Sequence, residues 1–144
     1  MHIYTIYPLD LGTVTRSKSQ IVGVKGDNGV IDIPILAYFV TDGERKIMID
    51  TGGGQPDGRR YMPYTRSEEQ SVVNQLGKID ILPKEIDTVI FTHLHWDHAG
   101  GNKEFTNAKF YAQERELHNA IAPLPIHKGS YDIKLIVETD YDVL

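Results

Sequence analysis

Cysteine is absent from the 144 residues. That one absence excludes disulfides, cysteine zinc fingers, iron–sulfur clusters and thiol nucleophiles, so any metal must be held by imidazole and carboxylate. Basic charge is also scarce. Lys and Arg number 15 against 20 Asp and Glu, a formal charge of −5 with His neutral. With no long Lys/Arg run, the chain lacks the electrostatic footprint of a general nucleic-acid binder or of a protein held on an anionic membrane. No apolar stretch approaches the ~20 residues of a membrane-spanning helix. The opening MHIYTIYPLD has neither the basic start nor the long apolar run of a secretory signal, so the cytoplasm is the expected location. Repeats, low-complexity tracts and Pro/Ser linkers are missing too, and one folding unit over 1–144 is expected.

What is present is the balance of a globular protein, 40% hydrophobic and 24% charged, which excludes intrinsic disorder. The first half reads as antiparallel strands. Residues 2–7 are β-branched and aromatic, and 13–24 alternates loosely before the turn-forming run 26–29. Residues 31–40 form another candidate, with Pro34 marking an edge or a strand start. Thr41-Asp42-Gly43 then reads as a tight turn into Lys46–Asp50.

The character changes after residue 66. Ser67 and Gln70 fit a capping box, Val72, Val73 and Leu76 supply an apolar face, and Gly77 is placed to stop a helix. Pro83-Lys84-Glu85 suggests a helical turn. Thr88–Phe91 is a short continuous apolar run, as in a strand covered on both faces. A strand at 108–112, a helix from 113 to 121 and a final strand at 134–138 complete a layered α/β expectation.

Chemistry concentrates in Thr92-His93-Leu94-His95-Trp96-Asp97-His98-Ala99-Gly100-Gly101-Asn102. Three of the six histidines and an aspartate fall within six residues, directly after the apolar strand. Side chains two apart in an extended segment point the same way, so His93 and His95 can reach one point. Asp97 and His98 follow where the chain must bend toward Ala99-Gly100-Gly101, and a bend carries them to a second, nearby point. Imidazole with carboxylate suits zinc first, and iron, manganese or cobalt as well. The two glycines allow backbone to pass close to a metal or substrate. A solvated histidine-rich loop is the plain alternative, but α/β proteins place their sites after such strands.

At these residues the sequence resembles the metallo-β-lactamase superfamily, whose mark is His-x-His-x-Asp-His at this junction. Ile47-Met48-Ile49-Asp50-Thr51-Gly52 is similar to the family's earlier strand ending in Asp-x-Gly. The helix at 67–77, the approach Ile86-Asp87-Thr88 and the tail Ala99–Asn102 follow in the family's order. Within the superfamily the histidine segment and Ile33–Tyr38 are most similar to the N-acyl homoserine lactonase group. The resemblance implies the N-terminal half of an αββα sandwich. It also implies two divalent metals, one on His93 and His95, the other on Asp97 and His98. A hydroxide bridging them would open a lactone ester such as an N-acyl homoserine lactone, with Asp97 as the candidate proton donor to the leaving alkoxide.

Asp50 is expected to orient a ligand or the loop, against the alternative of a capped strand end. The resemblance to the lactonase group also makes Trp96 and Tyr64, the latter within Tyr61-Met62-Pro63-Tyr64, candidate contacts for an acyl chain, with core packing as the alternative for each. His2, His118 and His127 read as ordinary histidines. The implied partner is a small-molecule substrate, with no nucleic acid and no membrane, and a homodimer is left open. Related chemistries within the superfamily, a thioesterase or a glyoxalase II-like enzyme, are the nearest alternatives.

Two rivals come from other classes. Asp50-Thr51-Gly52 also resembles the Asp-Thr-Gly of aspartic proteases, but Gly53 replaces the usual Ala or Ser and the histidines are left unexplained. The other rival is an inactive metal-binding fragment. In the family pattern a third histidine, a bridging aspartate and a last histidine follow the segment resembling Asp140–Val143. The chain up to Leu144 therefore carries four of the expected ligands, and weak metal binding with little activity is expected of it alone.

Overall fold

The computed structural model describes residues 2–23, 26, 28–56 and 63–144. Seven strands form one sheet in the order β4-β1-β2-β3-β5-β6-β7. They are β1 (Thr5–Ser17), β2 (Val30–Thr41), β3 (Lys46–Ile49), β4 (Tyr64–Thr65), β5 (Thr88–Ile90), β6 (Lys109–Ala112) and β7 (Tyr141–Val143). The expected division holds. β1, β2, β3 and β4 pair antiparallel, whereas β3, β5, β6 and β7 run parallel. Parallel neighbours need long crossovers. These carry α2 (Val72–Gly77), α3 (Trp96–Ala99), and the pair α4 (Glu114–Ile121) and α5 (Ile133–Glu138); α1 (Lys18–Val22) is a short helix in the β1–β2 connection.

One hydrophobic cluster joins Leu9, Phe39, Met48 and Val89 of the strands to Leu76, Trp96, Ala120 and Ile136 of the helices. Val89 is completely buried, as expected for the apolar run 88–91, and so is Met48 of β3. Pro34 sits inside β2 opposite Thr13, and of β2 only Tyr38–Thr41 pair with β3. Its missing N–H therefore falls where β2 has one described neighbour, in keeping with a local edge. Half of the capping box at Ser67 and Gln70 is formed, on a 3-10 turn at Glu68–Gln70: Gln70 Oε1 accepts the Ser67 N–H at 2.9 Å, while the Gln70 N–H goes to the Ser67 carbonyl, and Ser71 then caps α2. Pro83–Glu85 is a 3-10 turn, as expected.

Four expectations need correction. Residues 2–4 precede β1, which begins at Thr5. The strand expected over 13–24 ends at Ser17, whose pairing with Val30 is the last of the β1–β2 register. With no strand opposite, residues 18–22 close helical hydrogen bonds instead, and Gly23 stops them at φ 69°. Within the turn expected at 26–29, Asp27 lies outside the described residues. Gly77 does not take a left-handed stop. It is the last residue of α2, and the positive φ falls at Asp80. Residues 134–138 belong to a helix, not a strand. Their β-branched run suggested extension, but Asp132 caps the segment by accepting from the Leu135 N–H, and Leu135 and Ile136 are buried. The outermost parallel strand is β7.

Candidate metal centre

The site follows from strand register. β3 and β5 are parallel with Ile49 opposite Ile90, so both chains leave the sheet side by side. Ligands bind beyond such carboxyl ends. Asp50 donates its N–H to the Ile90 carbonyl at 3.0 Å, which sets its side chain beside Thr92. It adopts a left-handed φ of 62°, a conformation Asp tolerates better than most residues. The carboxylate is buried. Oδ1 accepts the Thr92 N–H at 2.8 Å, and Oδ2 accepts the Thr92 hydroxyl at 2.7 Å and His98 Nδ1 at 2.8 Å. Asp50 is thus bonded both to His98 and to the head of the histidine segment. This bonding also closes Asp50 off from the shared-proton dyad an aspartic protease needs.

The three imidazoles are brought together. Ring centroids of His93 and His95 are 4.5 Å apart, and those of His93 and His98 3.9 Å. His98 lies on α3 with Asp97, whose Oδ2 is 3.8 Å from His98 Nε2. Among the described residues, however, no three His, Asp or Glu side chains converge as a ready metal-holding group. Burial lowers the pKa of His93 and His95, helped at His93 by the neighbouring His98 and at His95 by His93. Burial also opposes charge on His98, but the bond and charge of Asp50, aided by Asp97, outweigh it and raise its pKa.

The loop is clamped from behind. The Thr51 N–H donates to the His98 carbonyl at 2.7 Å, and the Thr51 hydroxyl lies 2.9 Å from the buried Asn102 Oδ1. Gly100 and Gly101 serve this clamp. A Cβ at Gly101 would meet the Thr51 carbonyl oxygen at 2.3 Å, and one at Gly100 would meet the Gly53 backbone at 2.5 Å. The close approach expected of a metal or substrate is made by the chain itself.

The sequence profile of the Metallo-beta-lactamase superfamily matches residues 30–142. The chain belongs to this superfamily. Over 165 aligned residues it is 26% identical to an N-acyl homoserine lactonase of Bacillus thuringiensis, covering all of this chain and 63% of that one. It is 28% identical to the lactonase AiiB of Rhizobium rhizogenes, over 90% of this chain and 54% of the relative. The fold superimposes with a TM-score of 0.83 and 25% identity on a B. thuringiensis AiiA mutant with N-decanoyl-L-homoserine bound at its active site. That match covers all of this chain and 60% of the other. The fold is accordingly a mixed α/β, partial metallo-β-lactamase sandwich, and the chain spans less than two-thirds of the length of these relatives.

The donor chemistry suits the divalent metals of such a superfamily. His93 and His95 are held toward the neutral form that ligates, and Asp50 occupies Nδ1 of His98 so that Nε2 is left for a metal. Trp96 is 3% exposed and packs against the ring of Tyr64 at 5.5 Å. Tyr64 is buried as well; its hydroxyl donates to the Leu11 carbonyl at 2.7 Å, and burial pushes its pKa up to about 12. Both rings therefore pack, while one edge of Trp96 reaches a hollow beside His95. Tyr61 and Met62 lie outside the described residues. His2 pairs loosely with Asp42 at 3.5 Å, and His118 is exposed on α4. No helix among the described residues is long and apolar enough to cross a membrane.

Glu116 and Tyr131 escaped the sequence reading. Glu116 Oε1 accepts the Leu94 N–H at 2.9 Å, between the two leading histidines, and the Tyr131 hydroxyl at 3.1 Å. The Tyr131 ring stands edge-on to His95 with centroids 4.8 Å apart. The only local signal was an acidic residue in the first turn of a predicted helix, which normally means a favourable helix dipole.

Proposed function

We propose that this chain carries the leading metal-binding half of a metal-dependent hydrolase that opens the ester of an N-acyl homoserine lactone or a similar lactone. The observation that carries the reading is the contact of the three imidazoles His93, His95 and His98 at the carboxyl end of β5, with Asp50 bonded behind them. The lactonases among its relatives support the substrate class. His93 and His95 would hold one divalent ion, and Asp97 and His98 the other, with zinc the first choice.

When bound, such ions polarise an ester carbonyl and lower the pKa of water. The chain's own residues do the rest. Asp50 fixes the ring plane of His98 through Nδ1. Glu116 fixes the backbone between His93 and His95. Asp97 holds a carboxylate 3.8 Å from His98 Nε2, where it would take the proton released by the attacking water and hand it to the departing alkoxide. Residues 1–144 form one partial domain of this enzyme, working in the cytoplasm.

The test is zinc titration of the 144-residue chain followed by a panel of acyl homoserine lactones and thioesters. Weak zinc uptake abolished by His93→Ala, with slow lactone opening, is expected. Two tightly held metals with ordinary turnover would remove the idea that this half is incomplete. Thioester cleavage without lactone opening would transfer the site to glyoxalase II-like chemistry. Zinc uptake with no hydrolysis at all would make it an inactive metal-binding fragment.

A further inference from the structure

Beside the histidines lies a hollow of about 210 Å³. Val14, Ile21, Ile33 and Trp96 make its apolar wall, and His95 and Asp97 border it on the side of the metal centre. Arg16 is the remaining charged group of its lining. In β1 the side chains of Val14 and Arg16, two apart, share one face of the sheet, and Val14 pairs across to Ile33. Val14 is buried, so the row turns from core to cation within two residues, at the mouth of the site.

Among the described residues no acid answers this cation. The nearest on the paired strand, Asp32, sits opposite Thr15 on the other face and accepts the Thr15 hydroxyl at 2.6 Å. Asp97 faces His98, and among the described residues Arg16 forms no ion pair. A guanidinium set against an apolar wall favours a partner that brings both methylenes and an anion.

We propose that this hollow binds an aliphatic chain bearing a carboxylate, with Arg16 as its counter-ion. The preferred substrate of the site is then an ester or lactone whose acyl side is anionic. This rests on the hydrolase reading only for where the reacting carbonyl lies; the binding itself does not need it.

Trp96 is the single tryptophan of the chain and lines the hollow, so its fluorescence reports occupancy. The experiment titrates the metal-free 144-residue chain with hexanoate and with hexanamide, which match in length and differ in charge. Hexanoate should bind about tenfold more tightly, as a charge-assisted bond to a half-exposed guanidinium allows. Arg16→Met should reduce hexanoate to the level of hexanamide while leaving hexanamide unchanged, which also shows the hollow intact. Arg16→Lys should fall between.

Equal affinity for the two probes, or hexanoate binding indifferent to Arg16→Met, would overturn the proposal, the latter by placing the anion on the histidines. So would binding of neither. Arg16-dependent hexanoate binding in a chain inert to every lactone would leave this site standing and remove the hydrolase reading. Opening of a lactone with an anionic acyl chain that is indifferent to Arg16→Met would do the reverse.

Discussion

The histidine segment is fastened at two places by different means, its outer residues on one side chain and its middle on another. At its start and far end, Thr92 and His98 converge on one buried carboxylate, with three hydrogen bonds to Asp50. Between His93 and His95 a single backbone bond, Leu94 N–H to Glu116, holds the chain, steadied by Tyr131. Asp50 is placed by β3 and β5, whose parallel register leaves it no freedom. Glu116 comes from α4, a helix added after the next strand. One anchor is therefore part of the sheet, and the other depends on a later element docking against it.

Removing Asp50 should break the comparison most severely. Asp50→Ala strands the Thr92 N–H, the Thr92 hydroxyl and His98 Nδ1, and puts an alanine at φ 62°. The expected loss is about 3 kcal/mol of unfolding free energy, read from urea curves at unchanged slope. Asp50→Asn keeps an acceptor for Thr92 and tolerates the same backbone, so it should lose about half as much. An alanine variant within about 1 kcal/mol of wild type would mean that the register of β3 and β5, rather than the carboxylate, holds Thr92 and His98 in place.

Truncating Glu116 should have a smaller effect on stability and a clearer one on metal. Glu116→Ala leaves the Leu94 N–H and the Tyr131 hydroxyl without their acceptor. About 1 kcal/mol of stability and about tenfold in zinc affinity should be lost, because a support behind a ligand acts through ligand placement. Glu116→Gln still offers a carbonyl oxygen and should recover most of both. If the glutamine variant binds zinc as poorly as the alanine one, the charge of Glu116 matters and its grip on Leu94 does not.

The same contrast separates what could be read from the sequence from what could not. Asp50, His93, His95 and His98 belong to short segments at strand ends, where period and neighbours fix direction, so their meeting was legible. So was the division into antiparallel and parallel strands, through the hairpin turn at 41–43 and the apolar run at 88–91. Glu116 and Tyr131 were not legible, because their roles depend on how α4 packs, which no local pattern encodes. The helix at Ile133–Glu138 was misread for a related reason: β-branched residues favour strands, yet burial of Leu135 and Ile136 and the Asp132 cap override that preference. Gly100 and Gly101 were correctly marked as sites of close approach, but the identity of the approaching group, Thr51 and Gly53, is a tertiary fact.

The finest distinction between the two anchored parts is the sign of their response to pH, measured on metal-free protein with chelator present. His98 has a raised folded pKa, because Asp50 and Asp97 outweigh burial. Its contribution to stability is complete below the unfolded value of about 6.5 and is lost as pH rises through the raised value. His93 and His95 have lowered pKa values, chiefly through burial. Theirs is complete above about 6.5 and is lost as pH falls through the lowered values. The two parts therefore oppose each other, and wild-type stability should change little between about pH 5.5 and 7.5. Substitution exposes the halves. Relative to wild type, Asp50→Asn should be most damaging at the acid side of that window, since it removes the partner of charged His98. His93→Asn should be least damaging there, since it removes a ring that resists protonation. Parallel slopes for the two variants would show that the three rings titrate as one group, and that the difference between the anchors is one of geometry alone.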